Sequence, residues 1–394
     1  MDFVVATGIE CSAPVIAGGL RRDQLLLTGH WDRYEEDLDV VTDLGISHVR
    51  YGVPFHVVAR DPDRLDWTWT DRAFAAVRER GIEPIADLLH FGLPDDLTGM
   101  GDPRLPERFL AYVEAFAERF PWVRWYTPVN EPFISAFFSA KEGWWNELQR
   151  SDRAFVRALD NTASCAIRAM AIIRERRSDA IFLQSDACET YTAGDPAAER
   201  VAHFRNEQNF LAFDLTYGRP VNPLMRRWLR RAGMSGERLA WFEANGTREG
   251  CIVGLDYYEG NERVVAADGS WAVGPRAGFA RLARQFHGRY ELPFMLSETN
   301  CATERAVDWL TEVWNETVEL VDEGLPVGGF CWYGLTDMVD WDSMLREAND
   351  NVDTVGLVDL DRRPRPVADL YRQLTANAAL GIVEAIATDD EVAA

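Results

Sequence analysis

An α/β fold closing as a single (β/α)8 barrel of the TIM type, with elaborated loops, is what this sequence predicts, on three observations. Eight short apolar or β-branched runs recur along the 394 residues, and segments with helical spacing separate them. No G-x-G-x-x-G follows the first run and no G-x-x-x-x-G-K-[ST] occurs, so nucleotide-binding open sheets lose support. No linker or low-complexity stretch divides the chain, which places one domain over 1–380 and a short acidic tail over 381–394.

In chain order the strand signals are FVVATGI (3–9), SHVRYGV (47–53), EPIADLLH (83–90) and RWYTPVNE (124–131). AIFLQSD (180–186), CIVGLDYY (251–258), PFMLSET (293–299) and PVGGFCWYG (326–334) complete the set. Runs this apolar suit parallel strands covered on both faces. Between them, 33–45 puts Leu38, Val41 and Leu44 on one helical face and stops at Gly45. Helical spacing returns at 70–81, 106–120, 153–177 and 305–324. The stretch 187–250 reads as an elaborated loop with two helical patches, and 335–356 as an insertion after the eighth strand.

Composition narrows the function. With 41 basic and 64 acidic residues the net charge is −23, which repels phosphate backbones and anionic lipid, so nucleic acid is not an expected partner. No run approaches the roughly 18 apolar residues of a membrane span. The N-terminus MDFVVATGIEC lacks a basic, apolar leader, and six scattered cysteines without a C-x-x-C pair read as reduced thiols. The expected location is the cytoplasm. The dispersed histidines show no metal spacing, and no metal or cofactor is called for.

In such a barrel the chemistry sits at the C-terminal ends of the strands. That rule selects Arg50, His90, Asn130, Glu131, Tyr257, Tyr258 and Glu298, with Trp332 and Tyr333 on strand eight and Asp337, Asp340 and Trp341 in its loop. Glu131 and Glu298 end strands four and seven at matching rim positions. Two carboxylates across one pocket serve glycosidic cleavage, one protonated to assist the leaving oxygen and one ionised to attack or to activate water. Asn130 can then hold a sugar hydroxyl, and Arg50 beside Glu298 would keep that carboxylate ionised. Trp144, Trp145, Trp332 and Trp341 are possible flat platforms for sugar rings. No G-x-S-x-G elbow or Cys–His motif offers another nucleophile; Cys301 and Cys331 read as packing thiols.

These motifs resemble family 1 glycoside hydrolases, the β-glucosidase type, within the clan of barrel hydrolases with acids on strands four and seven. HWDRYEEDLDVVTDLGISHVRYGV resembles that family's approach to strand two, and LLHFGLPDDL its strand-three His motif. YTPVNEP is similar to the acid/base motif, LSETN to the nucleophile motif and GLDYY to Gly-x-Asn-Tyr-Tyr. GLVDLDRRPRPVADLYRQL is similar to the closing strand and helix. The resemblance implies a retaining β-glycosidase acting on a small carbohydrate, with Glu131 as acid/base and Glu298 as nucleophile. It implies that Asn130 holds the 2-hydroxyl, Arg50 and Tyr258 contact the nucleophile, His90 binds a sugar hydroxyl and Trp332 is the platform. Departures fall on recognition. Glu10 stands where the family has a sugar-binding Gln, Asp340 replaces the Glu gripping the far hydroxyls, and Asp256 replaces the Asn before the tyrosines. The alternatives are a transglycosidase on the same site or a non-hydrolysing carbohydrate-binding protein on a decayed barrel.

Overall fold

The computed structural model describes residues 3–387. Eight parallel strands close into a barrel: β1 (Val4–Gly8), β2 (His48–Gly52), β3 (Glu83–Asp87), β4 (Trp125–Thr127), β5 (Ile181–Ala187), β6 (Cys251–Asp256), β7 (Phe294–Thr299) and β8 (Val327–Tyr333). Each pairs with its neighbours in chain order, and β1 closes the ring against β8, with Val5 opposite Phe330 and Thr7 opposite Trp332. All eight predicted strands are present. β4 is cut short at Thr127, so Asn130 and Glu131 lie beyond it rather than inside it.

Side-chain alternation divides the core in two. Val4, Ala6, Ile85, Leu183, Ile252 and Met295 point inward and fill the barrel. The outward residues pack under the helices in one large cluster, where Leu38 and Val41 of helix His30–Asp43 are fully buried, as their spacing predicts. Helices Thr68–Glu79, Leu105–Arg119, Asp152–Arg176 and Ala306–Asp322 occupy the other predicted windows. None of the described helices is long and apolar enough to cross a membrane.

Three expectations need correction. The stretch 187–250 carries four helices rather than two, from Glu199–Asn209 to Gly236–Asn245. It also carries a strand, Thr190–Ala193, that pairs with Glu262–Val265; Trp271–Val273 extends the sheet on the far side. The tail does not begin at 381. Asn315 exchanges two hydrogen bonds with the backbone of Ile386 (2.7 and 2.9 Å), and Trp314 Nε1 donates to Glu384 O at 2.9 Å. Those bonds, with Val383 and Ile386 against the core, dock 382–386 on helix Ala306–Asp322. Residues 388–394 of the predicted tail lie outside the described residues.

Candidate active site

The strand ends are bent so that the acids face inward. After β4, the Asn130 amide donates to Leu89 O and the Glu131 amide to Ser185 O, which ties the turn to both neighbouring strand ends. Glu131 adopts a left-handed backbone (φ 41°, ψ 66°), and Pro132 opens the short helix Pro132–Ala136 directly after it. A left-handed Glu is strained by roughly 1–3 kcal/mol, and the fold retains it here because it re-aims the carboxyl. Across the barrel, β7 slips register against β6 between Leu296 and Glu298. Such a bulge rotates the following side chain, and it turns Glu298 into the same space.

That space is a cavity of about 400 Å³. Glu10, His90, Glu131, Tyr258, Glu298 and Trp341 line it, so six of the ten predicted site residues come together on one surface. Arg50 and Asn130 lie directly beneath. Arg50 donates to Glu298 Oε1, to Asn130 Oδ1 at 2.7 Å and to Asp87 Oδ2 at 3.2 Å. Asn130 Oδ1 also accepts from Ser185 Oγ (2.9 Å), while its Nδ2 faces His90 Nε2 at 3.2 Å. His90 Nδ1 is 2.9 Å from Asp87 Oδ2, which fixes the ring.

The two glutamates sit in opposite electrostatic surroundings. Glu298 is clamped by Arg50 on one oxygen and by the Tyr258 hydroxyl on the other, at 2.8 Å. Glu131 is buried with no hydrogen bond to its carboxyl among the described residues. Burial, together with the nearby carboxylates of Asp256 and Glu298, pushes its pKa well above the ordinary range. One acid is therefore ion-paired with Arg50, while burial and its acidic neighbours favour the protonated form of the other. This asymmetry is what a proton donor facing a nucleophile requires.

Two predicted contacts lie elsewhere. Trp332 is fully buried and points away from the cavity, its Nε1 donating to Val355 O at 3.0 Å. The neighbouring Tyr333 is the residue of β8 that turns inward, parallel to the His90 ring at 6.0 Å and beneath Arg50. Asp340 is fully buried as well. Arg22 donates to it at 2.5 Å and the amides of Asn349 and Asn351 at 3.2 and 2.9 Å, so its carboxylate ties the loop and is not available to a sugar. Of the tryptophan platforms only Trp341 lines the cavity. Trp145 is in the core, bonded to Met344 O, and Trp144 packs between Phe138 and Arg346.

Comparison with known proteins follows the same lines. The model of glycosyl hydrolase family 1 matches residues 26–216. β-Glucosidase A of Thermotoga maritima is 21% identical over 364 residues, 79% of this chain and 78% of that protein. The match to glycosyl hydrolase family 1 runs from the approach to β2 through β5 and into the helices after it. Rice (Oryza sativa subsp. japonica) β-glucosidase 4 is 30% identical over 119 residues, spanning 27% of this chain and 24% of that protein. The solved family 1 β-glucosidase of Thermotoga maritima superposes with a TM-score of 0.81 at 17% identity, over 95% of this chain and 98% of that one. In complex with glucoimidazole the score is 0.82.

Several cavity residues were not visible in the strand-end reading. Glu189, Arg263 and Trp271 come from the added three-stranded sheet, whose short, partly exposed strands carry little periodic signal. Arg263 stacks on Trp271 at 4.0 Å and pairs with Glu189 at 2.6 Å, making a wall at the cavity mouth. Asp87, beneath the cavity, had a signal, three residues before His90 in ADLLH, and the lining residue Met338 had none.

Proposed function

We propose that this protein is a retaining β-glycosidase in which Glu298 is the nucleophile and Glu131 the acid/base. The observation that carries the reading is the contrast between the two glutamates: one cavity holds a carboxyl clamped by Arg50 and Tyr258 and another with no partner among the described residues, whose pKa burial raises. In the first step a Glu298 oxygen bonds the anomeric carbon, the glycosidic C–O bond breaks, and the leaving oxygen takes the proton of Glu131. In the second, a water gives its proton to Glu131 and bonds the anomeric carbon, and the ester bond to Glu298 breaks. Both groups return to their starting state. The hydrolase names of the family 1 relatives support glycoside hydrolysis, and β-glucosides are the first substrates to offer. Six free, buried cysteines suit a reducing compartment, and we place the protein in the cytoplasm.

Glu298→Gln and Glu131→Gln, assayed on aryl β-glycosides, test the assignment. Each is expected to lower kcat/KM by at least about 10²–10⁴-fold. A 2-fluoro glycoside should add its sugar mass to the peptide bearing Glu298, and proton NMR should show the β-anomer forming first. Initial release of the α-anomer, or wild-type turnover by either variant, overturns it.

A further inference from the structure

The cavity has a closed end and an open one. At the mouth, Trp271 and Val273 are 44% and 60% exposed; at the other end Glu10 and Met338 are each 4% exposed. A terminal sugar fills the closed end, with its anomeric carbon between Glu131 and Glu298. What meets the far side of that sugar is Glu10, immediately past β1.

Glu10 is in an unusual position for a buried carboxylate. The Ser12 amide donates to its Oε1 at 2.8 Å; among the described residues no other group donates to it, and no Lys or Arg lies within 4 Å. The cations nearby are committed. Arg50 serves Glu298, Asp87 and Asn130, and the two His90 nitrogens face Asp87 and Asn130. Arg22, the other buried arginine on this side, is taken by Asp340. Burial raises the Glu10 pKa, outweighing the opposing pull of the nearby His90 ring and the Ser12 hydrogen bond. A buried carboxylate is costly unless something pairs with it directly, and Oε2, at the cavity wall, has no hydrogen-bond partner among the described residues.

We propose that the closed end takes a glycone bearing a basic amino group, with its ammonium on Glu10. This rests on the glycosidase reading above and adds the class of sugar to it. The amine belongs at C3 or C4, since C1 and C2 must lie at Glu298, on β7, whereas Glu10 follows β1. A neutral hydroxyl can also donate to Oε2. The ammonium adds a charge-assisted bond about twice as strong, and it neutralises a buried carboxylate that has no Lys or Arg within 4 Å among the described residues.

The test measures binding and turnover separately. In the catalytically disabled Glu131→Gln protein, calorimetry compares methyl 3-amino-3-deoxy-β-glucoside and its 4-amino isomer with methyl β-glucoside at mildly acidic pH. At least one amino glycoside should bind about tenfold or more tightly, and the preference should disappear when Glu10→Gln is added or when the amine is deprotonated. With the wild-type protein the corresponding aryl glycosides should show the same order in kcat/KM. Equal or weaker binding of both amino sugars overturns the proposal even if glucosides are cleaved. A Glu10-dependent amino preference without turnover of any glycoside supports it and overturns the catalytic reading instead.

Discussion

Among the described residues the Tyr258 hydroxyl alone donates to Glu298 Oε2, so Tyr258→Phe removes that bond without changing the charge balance around Arg50. A hydrogen bond to a charged group contributes about 1.5–3 kcal/mol, and kcat/KM on aryl β-glycosides should fall about 10- to 100-fold while the unfolding midpoint stays close to wild type. Asp340 predicts the opposite pattern. Its carboxylate joins Arg22 to the loop after β8, so Asp340→Ala should cost about 1–3 kcal/mol in urea unfolding, because it leaves the buried guanidinium with only its exposed partner Asp350 and takes the acceptor from the Asn349 and Asn351 amides. A sugar-gripping Asp340 would instead raise KM at unchanged stability. At this scale the sequence identified side chains well where a strand end dictates direction, as for Glu131, Glu298 and His90. It misjudged Trp332 and Asp340, since one residue of register on β8 exchanges inward for outward, and no spacing rule shows that Arg22, 318 residues away in sequence, claims the Asp340 carboxylate.

Among the elements, the barrel strands were legible because each is a buried apolar run bounded by a break, while the sheet of Thr190–Ala193, Glu262–Val265 and Trp271–Val273 was not. Its strands have three or four residues, and the outer one is wholly exposed. The docked C-terminal segment was equally hidden, since its anchors are backbone groups received by Trp314 and Asn315. Asn315→Ala removes two of those bonds. It should destabilise the protein by about 1–3 kcal/mol in urea and expose the segment after Gly381 to limited proteolysis, which mass spectrometry would read as clipped product.

Over the whole molecule, the buried acids set the pH dependence of stability. Burial raises the pKa of Glu10, Glu131 and Asp256, and takes Asp186 to about 8. Between about pH 4, where unfolded carboxyls lose their protons, and about pH 8, the folded state holds more protons than the unfolded one. Stability from these groups is therefore full at the acid side of that window and is lost as pH rises through it. Asp37 acts in the other direction: burial opposes ionisation, but His30 and Arg362 outweigh it and hold its pKa low, so its contribution is lost only in stronger acid. Calorimetry should show the melting temperature falling from about pH 5 to about pH 8, and added salt should recover part of the loss by screening a net charge of −23. The one-doorway shape of the cavity has a further consequence, for the order of traffic. A sugar at the blind end and its leaving group at the Trp271 wall stand in single file, with the leaving group between the sugar and bulk water. In the proposed reaction the leaving group has to exit before a water can arrive, so the two products are expected to depart in a fixed sequence with the sugar last, which product-inhibition kinetics would check.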